Sequence, residues 1–273
     1  MATIRTQNSR EQNIREYFFG NPPDRPLYIL IFLIFFAAGT FLLLRGILGP
    51  PPKILFYGLG PGCIIVGVIV TKAIHISYTK KLRNYQQSKP TDRQIDQWLQ
   101  ESIVKLREKS LKRLNLDESE IIADPLVIRG PILWKTIGID NGDLVWKIGS
   151  DDTVRFGIYK VTIIQLTDRH LGAYACDYNF IRDVALNERT DEYHYKDVVS
   201  VTTQEQASSY TLPTGVKLIT AQEFRLSVSG GESINVIIGS SQISKITGSN
   251  QIPETGAEKA ISVIRAMLRQ KKE

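Results

Sequence analysis

Two apolar blocks come first along this chain, an amphipathic stretch follows, and alternating polarity takes over for the remainder. Leu27 to Leu44 is 18 residues without a charge, closed by Arg45, and Ile54 to Thr71 is another 18. Apolar character then runs past Lys72 through Ile74 and Ile76 to Tyr78. About 20 predominantly apolar helical residues cross a hydrocarbon core of about 30 Å. The long stems of Arg45 and Lys72 let their charges reach the interface, so each block is expected to be a transmembrane helix. A cleavable signal fits the first block less well: it is long, lacks a small-residue cleavage site, and is followed at once by a second block. Pro50, Pro51 and Pro52 between them cannot be helical, so a hairpin of antiparallel neighbours is expected.

The second block contains Gly58, Gly60, Pro61, Gly62 and Gly67. Pro61 lacks a backbone donor, which predicts a kink. Gly58 and Gly62 have the G-x-x-x-G spacing that allows close helix approach, expected first within the hairpin and secondarily between copies.

Thr91 and Gln94, just after Pro90, are spaced as a capping box. Ile95, Trp98, Leu99, Ile103, Leu106 and Leu114 then recur mostly every three or four residues. This predicts an amphipathic helix that lies on the membrane, covers the distal domain or pairs with a copy of itself. Its apolar series keeps no strict heptad past Leu106, which disfavours a long coiled coil.

From Asp124 the period becomes two. Segments 126–134, 143–149, 154–167, 170–182, 193–205, 220–229 and 232–239 are rich in β-branched and aromatic residues, with turn signals such as Asn141-Gly142 and Gly230-Gly231 between them. Tyr174, Cys176, Tyr178 and Phe180 share one face of their strand. Residues 254–270 predict a helix whose apolar face is Ala257, Ala260, Ile261, Ile264, Met267 and Leu268. The expected fold class is a membrane α-helical hairpin plus a mainly-β domain, a small barrel of about seven antiparallel strands closed by a C-terminal amphipathic helix. The expected division is an N-terminal segment (1–26), the hairpin (27–78), a basic connecting helix (79–118) and the β domain (119–273).

Charge alters this picture by its location. The chain carries a net +6, yet residues 79–116 hold ten Lys or Arg against four acids and residues 117–273 hold 17 against 21. Basic character therefore sits beside the hairpin, where anionic lipid headgroups near residues 79–93 are the expected partner. Nucleic acid is excluded as a partner, since the distal domain lacks a basic excess. Arg25 before the first block, Arg45 and Lys72 at the block ends, and Lys80, Lys81 and Arg83 after the second are the candidate membrane-interface residues. Their distribution places both termini in the cytoplasm by the positive-inside rule. Two cysteines, Cys63 and Cys176, make no disulfide framework and suit a reducing compartment.

Catalytic templates fail one after another. There is no H-E-x-x-H, C-x-x-C, G-x-S-x-G or phosphate-binding loop. His170 and His194 are expected as ordinary strand histidines rather than metal ligands. Asp140-Asn141-Gly142-Asp143 lacks the spacing of a calcium loop and reads as a hairpin turn, while Asp151-Asp152 and Asp191-Glu192 read as solvated turns. No catalytic residue, cofactor or metal is expected.

The strand order with its closing helix, together with Gln165-Leu166-Thr167-Asp168-Arg169-His170-Leu171 and Tyr195-Lys196-Asp197-Val198-Val199-Ser200-Val201, resembles bacterial PH-like and GRAM-like domains attached to membrane helices. The likeness covers about residues 125–270. It implies a PH-like fold and a non-enzymatic inner-membrane protein that binds a protein partner or self-associates. Phosphoinositide binding in such domains uses a basic first hairpin, and here only Arg129, Lys135, Lys147 and Arg155 stand among several acids. In architecture the chain is also similar to two-transmembrane β-barrel effectors of bacterial antiphage systems. That likeness implies the alternative reading, a membrane-perturbing effector gated by a cyclic nucleotide, and with it a small-molecule ligand.

Overall fold

The computed structural model describes residues 2–49, 53–212, 215, 217–239, 241–249, 251 and 253–272. The triple-proline turn expected at Pro50–Pro52 lies outside them. The chain divides into two compact units, one of residues 19–89 and one combining the first 18 residues with everything from Pro90 onward.

The smaller unit is a helical pair, α2 (Tyr28–Leu48) and α3 (Lys53–Ser88). Both are long and apolar enough to cross a membrane. They run antiparallel: Tyr28 meets His75 edge to face at 5.5 Å, Gly67 lies against Phe35, and Gly39 lies against Gly60 and Ile64. A Cβ on Gly39 would stand 2.5 Å from Ile64 and one on Gly60 2.5 Å from Leu43, so these glycines set the distance between the helices. Gly58 and Gly62 have nothing within 4 Å of where a Cβ would stand. The expected close approach within the hairpin is therefore made by Gly39, Gly60 and Gly67 and not by the G-x-x-x-G pair. Pro61 is accommodated inside α3, which stays helical to Ser88. Thr40 and Thr71 return their hydroxyls to carbonyls one turn back, which satisfies them without water.

The larger unit starts with α1 (Ala2–Phe19), resumes with α4 (Asp92–Leu114), and continues, among the described residues, through nine strands. Thr91 caps α4 in the expected capping box with Gln94, and Asn115 ends it in a left-handed conformation. Strands β1 (Leu126–Pro131), β2 (Trp146–Ile148), β3 (Val154–Phe156), β4 (Ile158–Leu166), β5 (His170–Asn179) and β6 (Val184–His194) precede β7 (Val198–Thr211), β8 (Lys217–Val228) and β9 (Ser233–Gly239). Helices α5 (Ser241–Thr247) and α6 (Ala257–Lys272) follow. All strand pairs are antiparallel, in a four-stranded sheet β1-β4-β5-β6, a two-stranded β2-β3 ribbon and a three-stranded sheet β7-β8-β9. Among the described residues the sheets do not close into a barrel, and the seven expected strands become nine. Residues 184–194 form a strand of their own, and β3 and β4 divide the single segment expected at 154–167.

Two cores explain this layering. Val161 and Ile163 of β4 and Tyr174, Cys176 and Tyr178 of β5 pack with Ile95, Leu99, Ile103 and Leu106 of α4, and Phe180 just after β5 joins them. The opposite faces carry Ile128, Ile164, Leu166, Leu171 and Ala173 into a second core with Phe224, Leu226, Val236 and α6. The central strands β4 and β5 are thus buried on both faces and nearly continuous in buried residues, whereas β6 is largely exposed. Gly130 allows β9 to pass: a Cβ there would collide with the Ile237 carbonyl oxygen.

The segments before and after the helical pair both pack into the larger unit. Of the placements expected for α4, covering the β domain is the one observed: Ile95, Leu99, Ile103 and Leu106 enter the first core, Lys109 pairs with Glu188 at 2.8 Å and Arg113 with the same carboxylate at 3.3 Å. In the N-terminal segment, α1 places Ile14 and Tyr17, each 1% exposed, in the first core.

Candidate interaction groove

Helix α6 starts at a forced turn. Gly256 takes φ +76°, and its α-carbon faces the Val127 carbonyl, where a Cβ would collide. From there Ala257, Ala260, Ile261 and Ile264 enter the second core on the expected apolar face, and Lys271 pairs with Asp168 at 2.8 Å near the far end. The neighbouring face carries Glu258, Ser262, Arg265, Leu268 and Arg269, which together with Thr203 of β7 line a cleft of about 660 Å³. Among the described strands β7 pairs with β8 alone, and its Thr203 stands at this cleft. Beside it, Arg265 Nη2 donates to the Val201 carbonyl of β7 at 2.9 Å and blunts the strand there. A bulge between Val198 and Ser200 leaves Val199 66% exposed beside it.

A second constellation joins the ends of the chain that flank the hairpin. Tyr17 donates its hydroxyl to Asp92 Oδ1 at 2.6 Å, and Ser150 donates to Asp92 Oδ2 through its amide at 2.7 Å and its hydroxyl at 2.6 Å. Beside them Arg155, with a side chain 3% exposed, forms two-pronged pairs with Asp96 at 2.7–2.8 Å and with Asp151 at 2.8–2.9 Å. Lys147 Nζ donates to the Tyr17 carbonyl and stands 5.0 Å over its ring, and Arg10 reaches Ser102 Oγ at 2.7 Å. Burial, with Asp92 beside it, pushes the Tyr17 hydroxyl far up. Burial alone would raise the Asp92 carboxyl, but hydrogen bonds from Ser150 and Tyr17 and the charge of Arg155 outweigh it and hold it low. The hydrogen bonds from Arg155 hold Asp151 far below the usual carboxylate range.

This network corrects the sequence reading at Asp151, which is an ion-pair partner rather than a solvated turn residue, whereas Asp152 is exposed. It also takes up Arg155 and Lys147, two of the four basic residues of the early strands. Arg129 donates to the Glu254 carbonyl at 3.1 Å. Asp140–Asp143 forms a single 3-10 turn instead of a hairpin, and buried Asp143 accepts from Asn179 at 2.7 Å and Arg182 at 2.5 Å. Asp191 receives Arg189 at 2.7 Å.

The other candidate residues are placed as follows. Arg25, Arg45, Lys72, Lys80, Lys81 and Arg83 are all exposed in the helical-pair unit. His170 and His194 face each other across β5 and β6, ring centroids 6.4 Å apart, and Thr167 holds His170 Nδ1 at 3.2 Å. Among the described residues, no three His, Cys, Asp or Glu side chains converge as a metal site. Burial raises the Cys176 thiol to about 12, so it stays a thiol at neutral pH and packs as a core residue. The sequence reading missed the groove and the Tyr17–Asp92–Arg155 network. The sole advance signal for the latter was Ile14 and Tyr17 at helical spacing in an otherwise polar segment. No protein-family model, no curated protein and no solved structure matches the chain.

Proposed function

We propose that this chain is a non-enzymatic protein of a bacterial inner membrane, anchored by the α2–α3 hairpin, whose PH-like domain binds a protein partner in the groove between α6 and β7. The groove carries the reading: an unpaired strand edge beside an open cleft lined by apolar and cationic side chains is a surface for a polypeptide. Four strands, then three, then a helix packed between the sheets is the order that a PH-like domain follows, with the β2-β3 ribbon inserted after the first strand. Three of the four early basic residues, Arg129, Lys147 and Arg155, are engaged internally, which speaks against a headgroup pocket there. Anionic lipids instead meet the exposed Lys80, Lys81 and Arg83. The compact unit contains both the chain before the hairpin and the chain after it, so an even number of crossings separates them. With the flanking cations, this supports cytoplasmic termini.

The test uses the full chain in its membrane, with a photo-crosslinking residue at Thr203. A discrete adduct with one identifiable protein, lost when Leu268→Asp is added, is the expected result. A reporter active only in the cytoplasm should give signal at the C-terminus and none at Gly49. Absence of any adduct, or a reversed reporter pattern, removes the corresponding half of the proposal.

The gated-effector reading has one observation on its side. Gly58 and Gly62 are unused inside the hairpin and open outward, where a neighbouring helix could approach closely.

A further inference from the structure

The groove's chemistry narrows its occupant. We infer that it takes an extended, acidic segment of a partner protein, added as a strand to the free edge of β7, with Arg265 as the group that the segment must first draw away. This rests on the reading of the groove as a protein-binding site and specifies what binds there.

Three observations carry it. The first is length. Glu258 to Arg269 is eleven helical steps, about 16 Å at ~1.5 Å per residue. That matches about five residues of extended chain at ~3.3 Å each. A helix, at roughly 10 Å across, suits a cleft beside a strand edge poorly, whereas an extended segment finds backbone groups to bond. The second is charge. Arg265 and Arg269 stand one turn apart near one end of the lining and Glu258 at the other, so the groove prefers acids toward the Arg end. The third is the state of the edge itself. Arg265 Nη2 occupies the Val201 carbonyl, an acceptor that an incoming strand would use. A carboxylate on the segment forms a stronger, charge-assisted pair with the guanidinium than a neutral carbonyl does. Arg265 then turns to that carboxylate, and Val201 is free to accept a backbone N–H. A neutral or basic segment has no means of making this exchange, so the same residue that blunts the edge against indiscriminate pairing selects for acid.

The experiment uses the full chain in lipid nanodiscs and a fluorescently labelled heptapeptide of alternating valine and glutamate, read by polarisation. Three companion peptides replace glutamate by lysine, replace it by glutamine, or carry N-methyl groups on alternate residues so that one strand edge cannot donate. The inference expects saturable binding of the glutamate peptide alone. It expects affinity to fall at least about tenfold in Arg265→Gln, which retains an amide donor for Val201 while removing the charge. Arg269→Gln should fall less, Lys259→Gln should match the wild type, and salt at about 0.5 M should weaken the interaction. Thermal unfolding of each variant separates lost binding from lost folding, and should Arg265→Gln fail to fold, Arg269→Gln and the salt series decide. Binding of the N-methylated peptide as tight as its parent overturns strand addition. Equal binding of the lysine or glutamine peptide overturns the acid selection. If Thr203 crosslinks a partner while the glutamate peptide does not bind, the groove reading stands and this inference falls. If neither occurs, both fall.

Discussion

Tyr17 and Asp92 lie 75 positions apart in the sequence and share a 2.6 Å hydrogen bond, with the whole helical pair threaded between them. Tyr17 is in the last turn of α1 and Asp92 in the first turn of α4, so the two points where the chain leaves and re-enters the domain are tied together. The domain is therefore assembled from both sides of the hairpin, and its N-terminal helix is part of its core.

A version of the protein starting at Pro90 should consequently be less stable than one in which residues 1–18 are joined to Pro90 by a flexible linker replacing the hairpin. Burying Ile14 and Tyr17 is worth about 1.5–3 kcal/mol each, and the pair are 1% exposed. Denaturant titration should give a difference of about 3–5 kcal/mol. Equal midpoints would show that α1 is not docked in solution.

The carboxylates around Arg155 should set the acid limit of the domain. Asp92 and Asp151 are held below their ordinary values in the folded state. The stability they contribute is therefore complete above the unfolded carboxylate range and is lost as pH falls through the depressed folded values. Unfolding free energy should be flat between about pH 5 and 8 and decline below about pH 4. Asp151→Asn should make that decline shallower, and an unchanged acid limb in this variant would refute the assignment. Arg155→Leu strips the shared counter-charge from Asp96 and Asp151, which are half-exposed, and should cost about 1 kcal/mol at neutral pH.

Within the hairpin, Gly60→Leu should separate the helices, since a Cβ at Gly60 already stands 2.5 Å from Leu43. Gly58→Leu with Gly62→Leu should leave the pair intact, because both positions are open. Cysteine crosslinking between Tyr28 and His75 positions, 5.5 Å apart by ring centroids, reads helix pairing directly. Permeability of membranes carrying the double-leucine variant reads the second function: leakage present in wild type and absent from this variant would favour the gated effector over the anchored module.

What the sequence by itself determined is what local periodicity can express. The two apolar blocks, the Thr91–Gln94 cap, the shared face of Tyr174, Cys176, Tyr178 and Phe180, and the apolar face of α6 each follow from how one segment partitions between water and an apolar surface. Periodicity says that a face will be covered and does not say by what. The tertiary structure alone decided that α1 and α4 cover the first core, that β4 and β5 are buried on both sides, and that open sheets take the place of a closed barrel. It alone chose Gly39, Gly60 and Gly67 over Gly58 and Gly62, because helix rotation is set by packing across the pair and not by residue spacing along one helix. Likewise Arg155 finds Asp96, and Arg265 finds the Val201 carbonyl, through distances between remote segments that fix which donor meets which acceptor.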